Sequence, residues 1–260
     1  MGYTTITYQA DDNVATIALS VPEKRNAISA QMVTDLIAAL THAEESRVRA
    51  VILTGSGKAF CAGMDLDELQ ALAKSTLQKN FEDARRVSKL FYRIYAFPKP
   101  VIAAVNGAAI AGGCGLATLA DFTLAVPEAK FGYPEVKLGF MPALVAVFLR
   151  RQIGEKHARD LLLTGRIIDA AEAHRIGLIT DVLPAERLMD RAHELAAALV
   201  GSSPTAIART KKFLVDFDEA AIRSELEAAI DANANVRTTA DFHEGVAAFL
   251  EKRAPKWRGE

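Results

Sequence analysis

Two short, wholly apolar runs constrain the fold of this chain more than any other feature. Ala50 to Thr54 (AVILT) ends at Gly55, and Val101 to Val105 (VIAAV) ends at an Asn-Gly turn. Each run has the length and branched side chains of a strand that is buried on both faces. Helical patterns follow, over Leu66 to Tyr95 and over Gly112 to Leu119. Buried strands that alternate with helices predict an α/β fold with a parallel sheet.

Local patterns extend this prediction towards both ends of the chain. Thr4 to Tyr8 and Val14 to Leu19 alternate apolar and polar residues around the turn at residues 11–13, which predicts a hairpin. We also expect helix caps at Ser29 and Asp169, and strands at Phe122 to Val126 and Leu178 to Leu183. Beyond Pro184 nearly every segment has helical periodicity, including the stretch with Arg209, Lys211 and Lys212, which we assign to a helix surface. We therefore expect a core with the active site at residues 1–195 and a helical region for oligomerisation and site closure at residues 196–260.

Composition and charge argue against several classes of protein. The chain has 260 residues, half of them apolar, which is long enough for one large core. A formal net charge of -1 without a basic stripe argues against nucleic-acid binding. The apolar runs are too short to span a membrane, and we see no secretory signal. Cys61, Cys114 and the five scattered histidines match no metal spacing, so we expect buried thiols, no metal site and a cytoplasmic location.

Two small-residue segments follow the apolar strands, AFCAGMDL at 59–66 and AIAGGCGL at 109–116. Neither completes a phosphate loop or a dinucleotide fingerprint, because the required glycine and lysine spacing is absent. Each segment would form a corner between a strand and a helix, where small side chains leave backbone N–H groups accessible. One such N–H group from each corner could bind one developing oxyanion, and Glu135 would supply a carboxyl group nearby. On pattern alone a second interpretation stays open, in which the glycines only let a helix pack tightly against the sheet.

Five segments, in order along the chain, resemble signatures of the enoyl-CoA hydratase/isomerase, or crotonase, family. They are KRNAIS at 24–29, LTGSGKAFCAGMDLDEL at 53–69, AAVNGAAIAGGCGLATLADFTLA at 103–125, FGYPEVKLGFMP at 131–142 and TGRIIDAAEAHRIGLITDVLP at 164–184. The resemblance covers roughly residues 3–256. It implies a spiral of ββα repeats with a C-terminal helical trimerisation region, assembled as a homotrimer or homohexamer. It also implies acyl thioesters of coenzyme A as substrates, with coenzyme A as part of the substrate and no tightly bound cofactor.

The resemblance further implies roles for individual residues. The amides of Ala62 and Gly112 would bind the thioester oxygen, and Glu135 would move a proton at the α-carbon. The candidates for binding coenzyme A are Lys24, Arg25, Ala27, Asp65 and Leu66. Phe249 and Lys252 would belong to the segment that closes the site, which in the family often comes from a neighbouring subunit.

The sequence departs from the family pattern near the reacting carbons. Gly115 stands where family hydratases carry a first glutamate, and residues 143–146 (ALVA) replace a glycine-rich bend. One acid is enough to shuttle a proton between two carbons, whereas adding water usually uses two. We expect a hydratase-type enzyme, a hydro-lyase acting on a 2-enoyl-CoA. The alternatives are an isomerase that moves the double bond and a non-catalytic acyl-CoA binder. We also expect an apolar pocket that raises the pKa of Glu135, and a Gly115→Glu variant that hydrates faster if the new side chain fits.

Overall fold

The computed structural model describes residues 2–11 and 13–259, and within these ranges the chain forms two sheets and a set of helices. The strands are β1 (Ile6–Asp11), β2 (Val14–Leu19), β3 (Ala50–Gly55), β4 (Ala59–Cys61), β5 (Val101–Val105), β6 (Ala108–Ile110), β7 (Phe122–Ala125), β8 (Lys130–Gly132), β9 (Ile167–Asp169) and β10 (Asp181–Val182). The helices are α1 (Ala30–Glu45), α2 (Leu66–Ala73), α3 (Leu77–Tyr95), α4 (Gly112–Thr118), α5 (Ala143–Thr164), α6 (Ala170–Arg175), α7 (Ala185–Val200), α8 (Pro204–Asp216), α9 (Glu219–Val236) and α10 (Ala240–Leu250). Two short 3-10 helices lie at Pro22–Lys24 and Pro134–Leu138.

The larger sheet has six strands in the order β1-β2-β3-β5-β7-β10. β1 and β2 form the predicted hairpin, and every other pair of neighbours in this sheet is parallel. Asp12, in the predicted turn, lies outside the described residues. The two apolar runs are the central strands β3 and β5, whose side chains are almost fully buried. The predicted parallel α/β sheet is therefore confirmed.

A second sheet of four short strands, in the order β4-β6-β8-β9, lies where the sequence patterns predict no strand. β4, β6 and β8 are parallel to one another, and β9 is antiparallel to β8. Along the chain, β3, β4 and α2 follow one another, as do β5, β6 and α4. These are the ββα repeats that the family resemblance implies, and they bring β4 and β6 side by side.

Local signals for helix ends are confirmed at two positions. Ser29 Oγ accepts a hydrogen bond of 3.1 Å from the Met32 amide, and Asp169 Oδ1 accepts one of 2.8 Å from the Glu172 amide. The predicted strand at Leu178 to Leu183 is shorter, because only the two residues of β10 pair with β7. Capping side chains thus predicted where helices start more reliably than apolar content predicted where strands end.

The C-terminal part of the chain is helical, as predicted, but two details differ. The boundary predicted after residue 195 lies inside α7, whose buried face packs on the main sheet. Lys211 is not on the helix surface, because its Nζ lies 2.5 Å from Asp121 Oδ2 and donates to the Lys99 carbonyl oxygen. This pair ties α8 to the core. Measured over the described residues, every helix falls short of the length and apolarity that a bilayer crossing requires.

Candidate active site

A cavity of about 440 Å³ opens beside the ends of β4 and β6. Most of its wall is apolar, with contributions from α2, α3, the start of α5 and α10. The predicted residues that line it are Ala62, Leu66, Gly112, Glu135 and Phe249. Its volume and apolar wall are those of a site that encloses a small organic molecule.

The two small-residue corners touch each other at one wall of this cavity. β4 and β6 pair in parallel, so the segments that follow them leave the sheet together. Gly63 has φ of +94°, and a Cβ there would lie 3.0 Å from the Ala111 side chain. Ala111 itself has φ of +53°, a conformation that costs a non-glycine residue about 1–3 kcal/mol. Gly63 adopts its positive φ freely, whereas Ala111 is strained, which indicates that the orientation of the Gly112 amide after it is under constraint.

The amide of Ala62 is not free to bind a substrate oxygen, which corrects our prediction for this residue. Its N–H donates to the Arg25 carbonyl oxygen at 3.0 Å, so its single hydrogen is already used. The Met64 amide, two residues further on, donates no hydrogen bond within the described chain, and Met64 lines the cavity. The Gly112 amide, at the first position of α4, is likewise without an acceptor there. The available pair of donors is therefore Met64 and Gly112.

Glu135 lies on the 3-10 helix at Pro134–Leu138, which follows β8 directly. The residue is only 7% exposed, and its Oε2 has no hydrogen-bond partner in the described chain. Burial in this apolar wall raises the pKa of Glu135 to about 7. A carboxyl group with that pKa can both accept and donate a proton near neutral pH. The predicted rise in the pKa is confirmed.

Apolar side chains fill the space beside Gly115. A Cβ built there would lie 2.8 Å from Val145 Cγ1 and 3.1 Å from Phe91 Cζ. Val145 belongs to the segment at 143–146 that replaces the family's glycine-rich bend. The two departures from the family pattern therefore lie next to each other in the fold, because Val145 packs where a side chain at position 115 would project. A glutamate at that position does not fit without movement of its neighbours.

Of the residues predicted to bind coenzyme A, only Leu66 and Phe249 line the cavity, and the charge of Lys24 is already paired. Lys24 Nζ lies 2.7 Å from Asp67 and 2.9 Å from Asp65, and these carboxylates raise the pKa of Lys24 above its ordinary value. Asp65 also caps α2 through the Asp67 amide. Arg25 is exposed and its side chain makes no ion pair within the described chain, whereas Ala27 is buried and does not line the cavity.

Helix α10 of the same chain packs against the turn that carries Glu135. A Cβ at Gly245 would lie 2.3 Å from the Leu138 carbonyl oxygen, and one at Gly139 would lie 2.4 Å from the Asp241 carbonyl oxygen. Because these two glycines have no side chain, the backbones of α10 and of the Glu135 turn can be in direct contact. Phe249, near the end of α10, lines the cavity as predicted, whereas Lys252 is exposed and lies outside the lining.

Sequence reasoning missed several residues of the wall. Met64 sits inside a segment that we singled out, but only the hydrogen bonds of the folded chain distinguish its amide from that of Ala62. Asn233 and Arg237 come from α9, some hundred residues after Glu135 along the chain. No local pattern marks these residues as part of a site. Lys137, also in the lining, lies two residues after Glu135 on the same 3-10 helix.

Comparisons with known proteins identify the family and the fold of the chain. The family model described as enoyl-CoA hydratase/isomerase matches residues 9–260. A putative enoyl-CoA hydratase of Thermus thermophilus is 43% identical over 246 residues, which is 94% of this chain and 97% of the relative. A probable enoyl-CoA hydratase of Mycobacterium bovis is 37% identical over 99% of both chains. The crystal structure of an enoyl-CoA hydratase/isomerase from Xanthobacter autotrophicus Py2 superposes with a TM-score of 0.89 at 29% identity, covering 97% of this chain and 98% of the other. The chain belongs to the enoyl-CoA hydratase/isomerase family.

Proposed function

We propose that this protein adds water to a 2-enoyl thioester of coenzyme A, using one carboxyl group and two backbone amides. The observation that carries the proposal is Glu135, a buried carboxyl group with an unpartnered oxygen and a pKa near 7. It shares its cavity with Met64 and Gly112, whose N–H groups have no acceptor within the described chain. A proton-transfer group and an oxyanion site are the two elements that a hydration next to a carbonyl requires.

The reaction can be written with each proton accounted for. The thioester oxygen accepts hydrogen bonds from the amides of Met64 and Gly112. Ionised Glu135 takes a proton from water as the water oxygen bonds to the β-carbon. The electron pair of the double bond then moves onto the thioester oxygen as an enolate. Protonated Glu135 finally delivers its proton to the α-carbon, which returns the carboxylate and gives a 3-hydroxyacyl thioester. Losing one oxyanion donor typically costs about 3 kcal/mol in the transition state.

The names of the relatives favour hydration over migration of the double bond. Both curated relatives described above are called enoyl-CoA hydratases, at 43% and 37% identity. Gly115 and the apolar wall of Val145 and Phe91 leave Glu135 as the acid beside the amide pair. We therefore assign both proton transfers to this residue rather than dividing them between two glutamates. An isomerase would use the same single acid, but that acid would take a proton from one carbon of the substrate and return it to another, and no water would be added.

We place coenzyme A at the mouth of the cavity, as the carrier part of the substrate and not as a resident cofactor. Leu66 and Phe249 line this end, and Arg25 supplies an exposed cation whose side chain is not ion-paired within the described chain. Lys24 would have to exchange an aspartate for a phosphate, so Arg25 is the stronger candidate for a phosphate contact. Both cysteines are free and buried, which is compatible with the reducing cytoplasm that we propose as the location.

One assay decides among the reactions. The purified protein is incubated with 2-enoyl-, 3-enoyl- and 3-hydroxyacyl-CoA thioesters, and the products are read by mass and chromatography. A product one water heavier from the 2-enoyl substrate supports hydration. Interconversion of 2-enoyl and 3-enoyl substrates without water gain would identify an isomerase. Binding of acyl-CoA without turnover of any thioester would identify a non-catalytic binder.

We also propose that the protein assembles as a trimer or a dimer of trimers through its C-terminal helices. Phe213 on α8 and Phe217 directly after it are 63% and 70% exposed and pack edge to face with their ring centres 4.6 Å apart, and Leu214 beside them is also exposed. Such a cluster is typical of a surface that another protein covers. Sedimentation should give at least three times the mass of one chain, and Phe213→Ser with Phe217→Ser should lower it. A monomeric wild-type protein would rule the assembly out.

A further inference from the structure

A cluster of buried polar side chains lies in the wall of the otherwise apolar cavity. Asn233 and Arg237, on α9, are 4% and 2% exposed, and both line the cavity. Arg237 Nη1 donates to Asp83 Oδ2 at 2.8 Å, and Arg237 Nη2 donates to Asn233 Oδ1 at 2.7 Å. The guanidinium also lies over the Phe140 ring, 5.3 Å from its centre. Burial of this many polar groups is costly, so their place in an apolar wall calls for a role.

The Asp83 end of the cluster lies about two helical turns along α3 from the corner that carries Gly112. Phe91 on α3 is next to the catalytic corner, since its Cζ would lie 3.8 Å from a Cβ at Gly112. Asp83, which holds Arg237, precedes Phe91 by two turns of the same helix, or roughly 12 Å. Val87, midway between them, also lines the cavity. The proposed function places coenzyme A at Leu66 and Phe249, and on that placement we assign the part of a substrate that reaches Arg237 to its acyl chain.

The cluster contains hydrogen-bond donors that have no acceptor within the described chain. Asn233 Nδ2 donates no hydrogen bond within the described chain, and only two of the five guanidinium N–H groups of Arg237 have acceptors there. Asp83 is shared, because Arg86 Nη2 also lies 3.3 Å from its Oδ1. Glu68 on α2 interacts electrostatically with Asp83 and Arg86, so the two arginines face two carboxyl groups and the cluster has no charge surplus. Unused donors suit an oxygen acceptor and disfavour a hydrocarbon end.

We propose that Asn233 and Arg237 bind an oxygen-bearing group at the far end of the acyl chain. The preferred substrates are then 2-enoyl-CoA thioesters that end in a carboxylate or a hydroxyl group rather than a methyl group. This inference rests on the proposed function and specifies its substrate class. The competing view is that the cluster only joins α3 to α9, in which case altering it affects all substrates alike.

The test compares chains of equal length, about six to ten carbons, that end in a carboxylate, a hydroxyl or a methyl group. Asn233→Asp removes the free Nδ2 donor but keeps an acceptor for Arg237, so the pair with Asp83 remains. Asn235→Asp is the matched control, because Asn235 is exposed on the same helix. The wild-type kcat/KM should be about tenfold higher for the oxygenated chains, the order expected for one buried hydrogen bond. Asn233→Asp should abolish this preference, most strongly for the carboxylate, so that the three series differ less than about twofold in kcat/KM.

The inference is overturned if the wild-type protein prefers the methyl-ended chains, or if Asn233→Asp lowers all three series equally. Calorimetric binding of the corresponding saturated acyl-CoA thioesters separates this result from failure of the proposed function. Tighter binding of oxygenated chains without any hydration would leave the inference standing and remove the hydratase. If the variant does not fold, the preference of the wild-type protein among the three series decides between the two views.

Discussion

Glu135 is an acidic residue in surroundings that disfavour its ionised form. The folded chain encloses its carboxyl group among apolar side chains and gives one of its oxygens no hydrogen-bond partner. Desolvation of that kind favours the protonated form and raises the pKa to about 7. The carboxyl group can therefore both take up and release a proton near neutral pH. The single-acid mechanism requires this property.

The first prediction concerns the pH dependence of the reaction. In the single-acid cycle Glu135 must begin as a carboxylate, because it takes a proton from water before it gives one to carbon. The value of kcat/KM for a 2-enoyl-CoA should therefore fall about tenfold for each pH unit below about 7 and level off above it. Stopped-flow or steady-state rates, measured at a series of pH values, give this acidic part of the pH–rate profile. A profile that is flat down to pH 5 would mean that Glu135 is not the base.

The second prediction concerns Gly115. The sequence led us to expect faster hydration only if a glutamate fits at this position. Because Val145 and Phe91 occupy the space beside it, Gly115→Glu should instead lower stability by about 1–3 kcal/mol and slow hydration. Val145→Ala removes the nearer obstacle, so the double variant should recover stability and hydrate faster than the single one. Denaturant unfolding and hydration rates give both quantities, with Val145→Ala alone as the control. A stable single variant with faster hydration would refute this view of the pocket.

At the residue scale the sequence predicted Glu135 and the Gly112 corner correctly as cavity residues, because motif spacing locates them. It misplaced the second amide donor, since whether Ala62 or Met64 is free depends on a hydrogen bond to Arg25, in another segment. It also placed Lys211 on the surface, because nothing near this residue in the sequence reveals the approach of Asp121. Motifs locate a site, whereas its hydrogen bonds follow from contacts between distant segments.

At the scale of elements, the long and strongly patterned segments were predicted and the short ones were not. β3 and β5 carry enough apolar residues to be read as buried strands. β4, β6 and β8 have three residues each, too few for alternation to be visible, and they form only because the main sheet brings them together. The corners that carry Met64 and Gly112 begin at β4 and β6, so these unpredicted strands position the site.

The third prediction concerns the contact between α10 and the turn that carries Glu135. Gly245→Ala would put a Cβ 2.3 Å from the Leu138 carbonyl oxygen, so helix and turn must separate. A shift of that size at a catalytic group should lower kcat about 10- to 100-fold in protein that still folds. Gly201→Ala is the control, since a Cβ there meets the Ala198 carbonyl oxygen at an ordinary 3.4 Å. Equal rates for the two variants would show that α10 does not position Glu135.

At the scale of the whole molecule, the burial of Glu135 has a cost in folding free energy that depends on pH. Its pKa is about 7 in the folded chain, against 4.5 for a glutamate in water. Between these values the folded state binds more protons than the unfolded state, so this residue lowers stability as the pH rises through that window. Glu135→Gln, which cannot ionise, should therefore gain roughly 3 kcal/mol on the wild-type protein between pH 4 and pH 8.

Denaturant unfolding of both proteins at the two pH values, at one protein concentration, measures this difference. The wild-type protein should lose stability relative to the variant as the pH rises. A constant difference between them at the two pH values would indicate that the carboxyl group is not desolvated in the folded state.

The central claim is that one glutamate performs both proton transfers of a hydration, and the hydration rate of Glu135→Gln tests it most directly. Wild-type protein with a 2-enoyl-CoA should give a product one water heavier. Glu135→Gln, folded and still able to bind acyl-CoA, should form that product about 10²–10⁴ times more slowly, the range for loss of a general acid-base group. Hydration by Glu135→Gln at the wild-type rate would contradict the account.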